Sequence, residues 1–129
     1  MLSHRLIRTA AAFFVVGVLL GLYMGANQDF RFTHVHAHLN LLGWVALGLI
    51  GLIYHQHPQL QHGWLAHGHY WLHTLGLLVF MGSLAWSVAG GTEHGIGVAT
   101  GATMVGLAVL LFGMNVGLRL HTPLSRAAG

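Results

Sequence analysis

Hydrophobic residues run along this chain in three long blocks separated by charge. Positions 9–28 hold no charged residue, positions 32–92 hold none, and positions 94–118 hold none. A helix needs about 20 apolar residues to span the hydrocarbon layer of a bilayer, so each outer block supplies one span. The middle block is long enough for two. Its polar centre, Tyr54-His55-Gln56-His57-Pro58-Gln59-Leu60-Gln61-His62, marks the turn between them. The pattern predicts an all-α integral membrane fold, a single four-helix transmembrane domain over residues 1–129, with spans near 9–27, 33–54, 66–89 and 95–118. No internal repeat or low-complexity stretch interrupts it.

Composition strengthens this reading. Of 129 residues, 55% are apolar and 5% are charged, whereas a soluble domain carries about a quarter charged residues. The five basic residues are all arginine and are scattered, so there is no basic stripe and no nucleic-acid partner is expected. The chain has no cysteine, which excludes disulfides and thiolate metal ligands. Arg5 and Arg8 precede the first block, Arg119 and Arg126 follow the last, and only Arg31 lies between spans on the other side. Positive residues stay cytoplasmic, so both termini are expected there, in a multi-pass protein of the bacterial inner membrane. The first block is longer than a signal sequence and lacks a small-x-small site at Tyr23-Met24-Gly25-Ala26, so it reads as an uncleaved helix.

Gly17, Gly21 and Gly25 recur every four residues in the first span, and Gly113 and Gly117 repeat the spacing in the fourth. Small residues at this spacing let helices approach closely in lipid, either within one chain or between subunits. Trp64, Trp71 and Tyr54 are placed as interfacial belt residues.

The polar chemistry is carried by twelve histidines. His34, His36 and His38 open the second span at the outer face, and His94 opens the fourth. His55, His57, His62, His67, His69 and His73 gather at the inner face, with His4 and His121 near it. Those in loops and termini (His4, His55, His57, His62 and His121) read as solvated. Ionisable groups inside spans are costly and point to a partner or a function. His36 and His38 are two residues apart, so on a helix they diverge by about 200° and look into different crevices. His34 and His38 share a face at a metal-chelating spacing, as do His69 and His73. For the inner pair, zinc or copper chelation, a proton path, a quinol pocket and plain hydrogen bonding all fit. The five methionines are scattered, which counts against a copper(I) conduit.

The stretch Thr33-His34-Val35-His36-Ala37-His38-Leu39-Asn40-Leu41-Leu42-Gly43-Trp44, followed by Gly51-Leu52-Ile53-Tyr54 and Pro58, resembles the tenth helix of haem–copper oxidase subunit I. His69-Tyr70-Trp71-Leu72 and Gly76 resemble the opening of that family's eleventh helix. The resemblance covers about residues 33–80. It implies that the His-x-His pair, His36 and His38, holds the iron of b-type haem, the first histidine facing one haem and the second another. Several family features have no counterpart in this chain: the adjacent copper-binding histidines, the third copper histidine with its linked tyrosine, and the arginine pair after the eleventh helix. The expectation is therefore haem binding without oxidase activity by this chain alone.

Two axial imidazoles flank one iron about 4 Å apart. His38 lies about 9 Å below the outer face and His73 about 10 Å above the inner one, so within a core of about 30 Å they differ in depth by roughly 10 Å. One protomer does not supply both ligands. The family's catalytic subunit is a pseudo-threefold set of four-helix units, and a homotrimer of this chain would set His36 of one copy against His38 of the next. With two histidines on iron, electron transfer is the expected task, with quinol or a cytochrome as donor or acceptor. His34 is a further candidate ligand or supporting group, Arg31 a candidate partner for a haem propionate, and Asn40 and Trp44 candidate pocket residues. Two alternatives stay open: a copper- or zinc-binding membrane protein or transporter, and a haem-based sensor or reductase of oxygen or nitric oxide.

Overall fold

The computed structural model describes residues 1–92 and 95–120. Four helices in it are long and apolar enough to cross a membrane: α1 (Leu2–Asn27), α2 (Thr33–Gln56), α3 (Trp64–Val88) and α4 (Ile96–Arg119). A short 3-10 turn, Pro58–Gln61, joins α2 to α3. No strand occurs among the described residues. His94, His121 and Arg126, on which the sequence places expectations, lie outside the described residues.

The uncharged blocks become helices because a continuous apolar run leaves its backbone no partner but itself. The first helix starts ahead of the expected span and takes in Arg5 and Arg8. It stops where Gln28 turns into the left-handed region at φ 51°, its N–H returning to Gly25 O at 3.4 Å while Asp29 N–H returns to Met24 O at 3.1 Å. The α1–α2 loop is held by Asp29 and Arg31, the Nε and Nη2 of Arg31 meeting the carboxylate at 2.9 and 2.7 Å. Arg31 holds the Asp29 carboxyl below its ordinary value. The bridge therefore persists above the usual carboxylate range and is lost only as acidification passes that lowered value.

The helices form an open row. α1 packs along α2, α2 meets α3, and α3 and α4 share the most extensive contact as a hairpin, while α1 and α4 have no comparable contact. Only 17% of the most apolar window of α4 is buried within the chain.

Polar side chains tie together the end of the bundle at the α2–α3 turn. Gln61 is buried, and its Oε1 accepts from Ser3 N–H at 3.1 Å while its Nε2 donates to Tyr54 O at 2.9 Å. It thus satisfies a first-turn donor of α1 and a last-turn carbonyl of α2. Asn115 of α4 donates to Leu60 O at 2.8 Å and to Tyr54 Oη at 3.1 Å. Arg119 Nη1 reaches His62 O at 2.8 Å. Tyr54 is therefore a fully buried residue and not a belt residue: the amide from α4 closes over its hydroxyl. Trp64 and Trp71 are exposed. Replacing Gln61 with alanine strands two buried backbone groups and should cost about 2 kcal/mol, read as a lower unfolding midpoint in detergent.

Candidate functional site

The second helix is not uniform. It begins as an α-helix over Thr33–His38, widens to a π-helix over Leu39–Ala46 and returns to α over Leu47–Gln56. The π segment starts directly after the histidines. At its entry, Asn40 Nδ2 donates back to His36 O at 2.8 Å, a side-chain bond to the preceding turn that competes with the regular ladder. Inside it, Gly43 has no side chain, and the space a Cβ would take is filled by Phe13, whose Cβ would lie 2.6 Å away. Such widened turns concentrate at functional sites.

His36 and His38 leave α2 on different sides. His36 lies against α1, its Nδ1 2.8 Å from Gly17 O, and a Cβ on Gly21 would come within 2.8 Å of its Cε1. The first helix thus spends Gly17 and Gly21 on seating Asn40 and His36, which is packing within the chain. Gly25, Gly113 and Gly117 meet nothing within 4 Å. His38 turns toward α3 and sits edge-on to Phe80, ring centres 5.3 Å apart, with its Nδ1 2.7 Å from His34 O.

In both histidines a carbonyl faces Nδ1. A carbonyl only accepts, so Nδ1 carries the proton and Nε2 presents its lone pair. Nε2 of neither ring has a hydrogen-bond partner among the described residues. A Nδ1–H donated to a backbone carbonyl is the arrangement that fixes an imidazole for binding iron or another metal through Nε2.

The remaining candidates are spread more widely. His34 is exposed and contributes its carbonyl to His38. Arg31 is engaged by Asp29 through Nε and Nη2 and stands over Phe32, leaving Nη1 without a partner among the described residues. Trp44 lies about two turns further along α2 and stacks on Phe14 at 4.8 Å, away from the histidine pair. Val substituted at Gly21 should push the His36 ring off the Gly17 carbonyl. The expected result is a shifted His36 ring-nitrogen resonance with unchanged helical circular dichroism.

The core holds a second set. His69 and His73 of α3 are both fully buried, with ring centres 5.4 Å apart. His73 Nε2 donates to Leu42 O, inside the π segment of α2, at 3.0 Å. His38, by contrast, is level with Phe80, seven residues further along α3 and so about 10 Å away in depth. The two residues are too far apart to share one iron within a chain.

Sequence reasoning missed Gln61 and Asn115, which organise the α2–α3 turn. The available signal was an amide inside an otherwise apolar block. No protein-family model, curated protein or solved structure matches the chain.

Proposed function

We propose that this protein binds b-type haem in a membrane and transfers electrons, as a minimal four-helix relative of haem–copper oxidase subunit I. The observation that carries the reading is the pair His36 and His38: two residues apart on one helix, divergent, and each anchored at Nδ1 with Nε2 unpartnered among the described residues. Hydrogen bonding alone does not require this arrangement, and it suits two separate iron-binding sites. His36 and His38 would hold the haem, which when bound would supply one-electron chemistry.

The chain's own groups have distinct tasks. Gly17 O and His34 O set the tautomer and direction of the two rings. Asn40 holds the start of the π segment under His36, and Gly21 gives the ring room. Arg31 offers Nη1 to a propionate while Asp29 keeps its fork at the outer end of α2.

Because His36 and His38 diverge, a bis-histidine site takes one ring from each of two copies. A homotrimer with both termini in the cytoplasm, in a bacterial inner membrane, meets this requirement and closes the open row of helices with heterologous contacts. Quinol or a cytochrome would exchange electrons with it.

The visible spectrum of the protein purified after expression with haem supplied tests the reading. A Soret band, split bands on reduction and no shift with carbon monoxide are expected. Absence of a Soret band would end it, and a large carbon monoxide shift would replace electron transfer with gas binding at an open iron position.

A further inference from the structure

The centre of the bundle contains more lone pairs than its own hydrogen bonds use. His69 and His73 have no exposed surface. Among the described residues neither ring nitrogen of His69 has a partner, and neither does Nδ1 of His73. Since His73 Nε2 donates to the Leu42 carbonyl, its Nδ1 is a bare lone pair. Buried polar atoms are nearly always partnered, and in the core of a membrane protein an orphan imidazole is especially costly. One nitrogen of His69 carries that ring's proton, so the three atoms leave two unpartnered lone pairs, one on each ring, one helical turn apart.

The surroundings narrow the chemistry of an occupant. The pair stands at i and i+4 on α3, a spacing at which two histidines ligate one ion. With nitrogens about 2 Å from a shared ion, two imidazoles place their ring centres roughly 5–6 Å apart, and here they are 5.4 Å apart. The neighbouring rings are Tyr54 at 6.3 Å and Phe112 at 5.6 Å from His69, one phenol and one hydrocarbon. No carboxylate is at hand: the chain has only two acidic residues, Asp29 in the outer loop bound to Arg31 and Glu93, which lies in sequence between the third and fourth spans. Charge burial costs rise with the square of the charge, so a divalent ion without compensating carboxylates is penalised about fourfold relative to a monovalent one. Sodium and potassium ions prefer oxygen. Neutral imidazoles in a dry, uncharged site suit a soft monovalent cation.

We infer that His69 and His73 form a buried copper(I) site in the inner half of the bundle, separate from the haem-binding pair on α2. This is a single resident ion, not a methionine-lined conduit. It does not depend on the haem reading, since neither His36 nor His38 takes part.

The test is anaerobic titration of the whole purified protein in detergent with copper(I) held by a chromophoric chelator. Wild type should withhold one copper(I) per chain more than His69→Leu or His73→Leu, while the Soret band stays the same in all three. His69→Met, which keeps a copper(I) donor but a poor zinc ligand, should retain the ion. X-ray absorption of the copper-loaded wild type should show an imidazole shell, with a sulfur scatterer appearing only in His69→Met. Equal copper binding in wild type and both leucine variants would overturn the site. So would zinc(II) bound as tightly and lost with the same substitutions. If the leucine variants fail to fold, the wild-type spectrum decides: a shell lacking imidazole overturns the assignment.

Discussion

Replacing His36 or His38 with alanine is expected to remove most of the haem, lowering the Soret absorbance per chain to the level of the double variant. The reason is geometric. Each ring is fixed by one carbonyl, Gly17 O at 2.8 Å or His34 O at 2.7 Å, and each proposed iron needs one ring of each kind from two copies. Loss of either residue therefore damages every site in the assembly. Whatever haem the single variants retain should be held by one imidazole and bind carbon monoxide, as wild type should not. Co-expression of His36→Ala with His38→Ala chains is a sharper check. Mixed assemblies can form some intact His36–His38 pairs between copies, so part of the Soret band should return. A haem held within one chain would show no such recovery, and an undiminished Soret band in both single variants would sink the proposal.

Substituting alanine at Gly101 should be the most damaging single methyl group in the fold. A Cβ there would collide with the Phe80 backbone, lying 2.6 Å from Phe80 Cα and overlapping Phe80 N, and it would stand 2.7 Å from Gly76 O. On the facing helix a Cβ at Gly76 would lie 2.7 Å from Met104 Cβ and 3.0 Å from Val105 N. Backbone meets backbone at this crossing, so no rotamer change relieves the overlap and the α3–α4 hairpin must separate. Small residues exist at such crossings to allow that approach, and overpacking of this kind costs about 3 kcal/mol. Unfolding monitored by circular dichroism in detergent gives the number. Gly106→Ala is the control: nothing lies within 4 Å of its Cβ position, and its effect should stay within about 0.5 kcal/mol. Equal costs at the two sites would show that α3 and α4 are not in close contact.

Much of the architecture was legible along the chain. Four helices long and apolar enough to span follow from where charge is missing, because a bilayer admits only backbones that bond to themselves. The divergence of His36 and His38 also follows directly, since two residues turn a helix by about 200°. Other features were not legible. The π segment over Leu39–Ala46 depends on Asn40 bonding back to His36 O and on Phe13 of another helix filling the space at Gly43. Tyr54 stands at the polar end of an apolar run, where a belt residue is expected. Asn115, which buries it, is 61 residues away.

The glycines divide in the same way. Their four-residue spacing was plain, but which of them meet a neighbour was not. Gly17 and Gly21 are used on Asn40 and His36, while Gly25, Gly113 and Gly117 stay open. For the inner histidines, the i, i+4 spacing showed that His69 and His73 share a face. It did not show that both are fully buried with three ring nitrogens unpartnered.

The sequence by itself determined how many times the chain can cross a bilayer, which residue type carries its polar chemistry, and that two of those residues leave one helix in different directions. These are properties of local periodicity and of the absence of charge, and they need no knowledge of neighbours. Only the tertiary structure decided which nitrogen of each histidine is spoken for, because that depends on which carbonyl, Gly17, His34 or Leu42, a neighbouring turn or helix brings to within hydrogen-bonding distance.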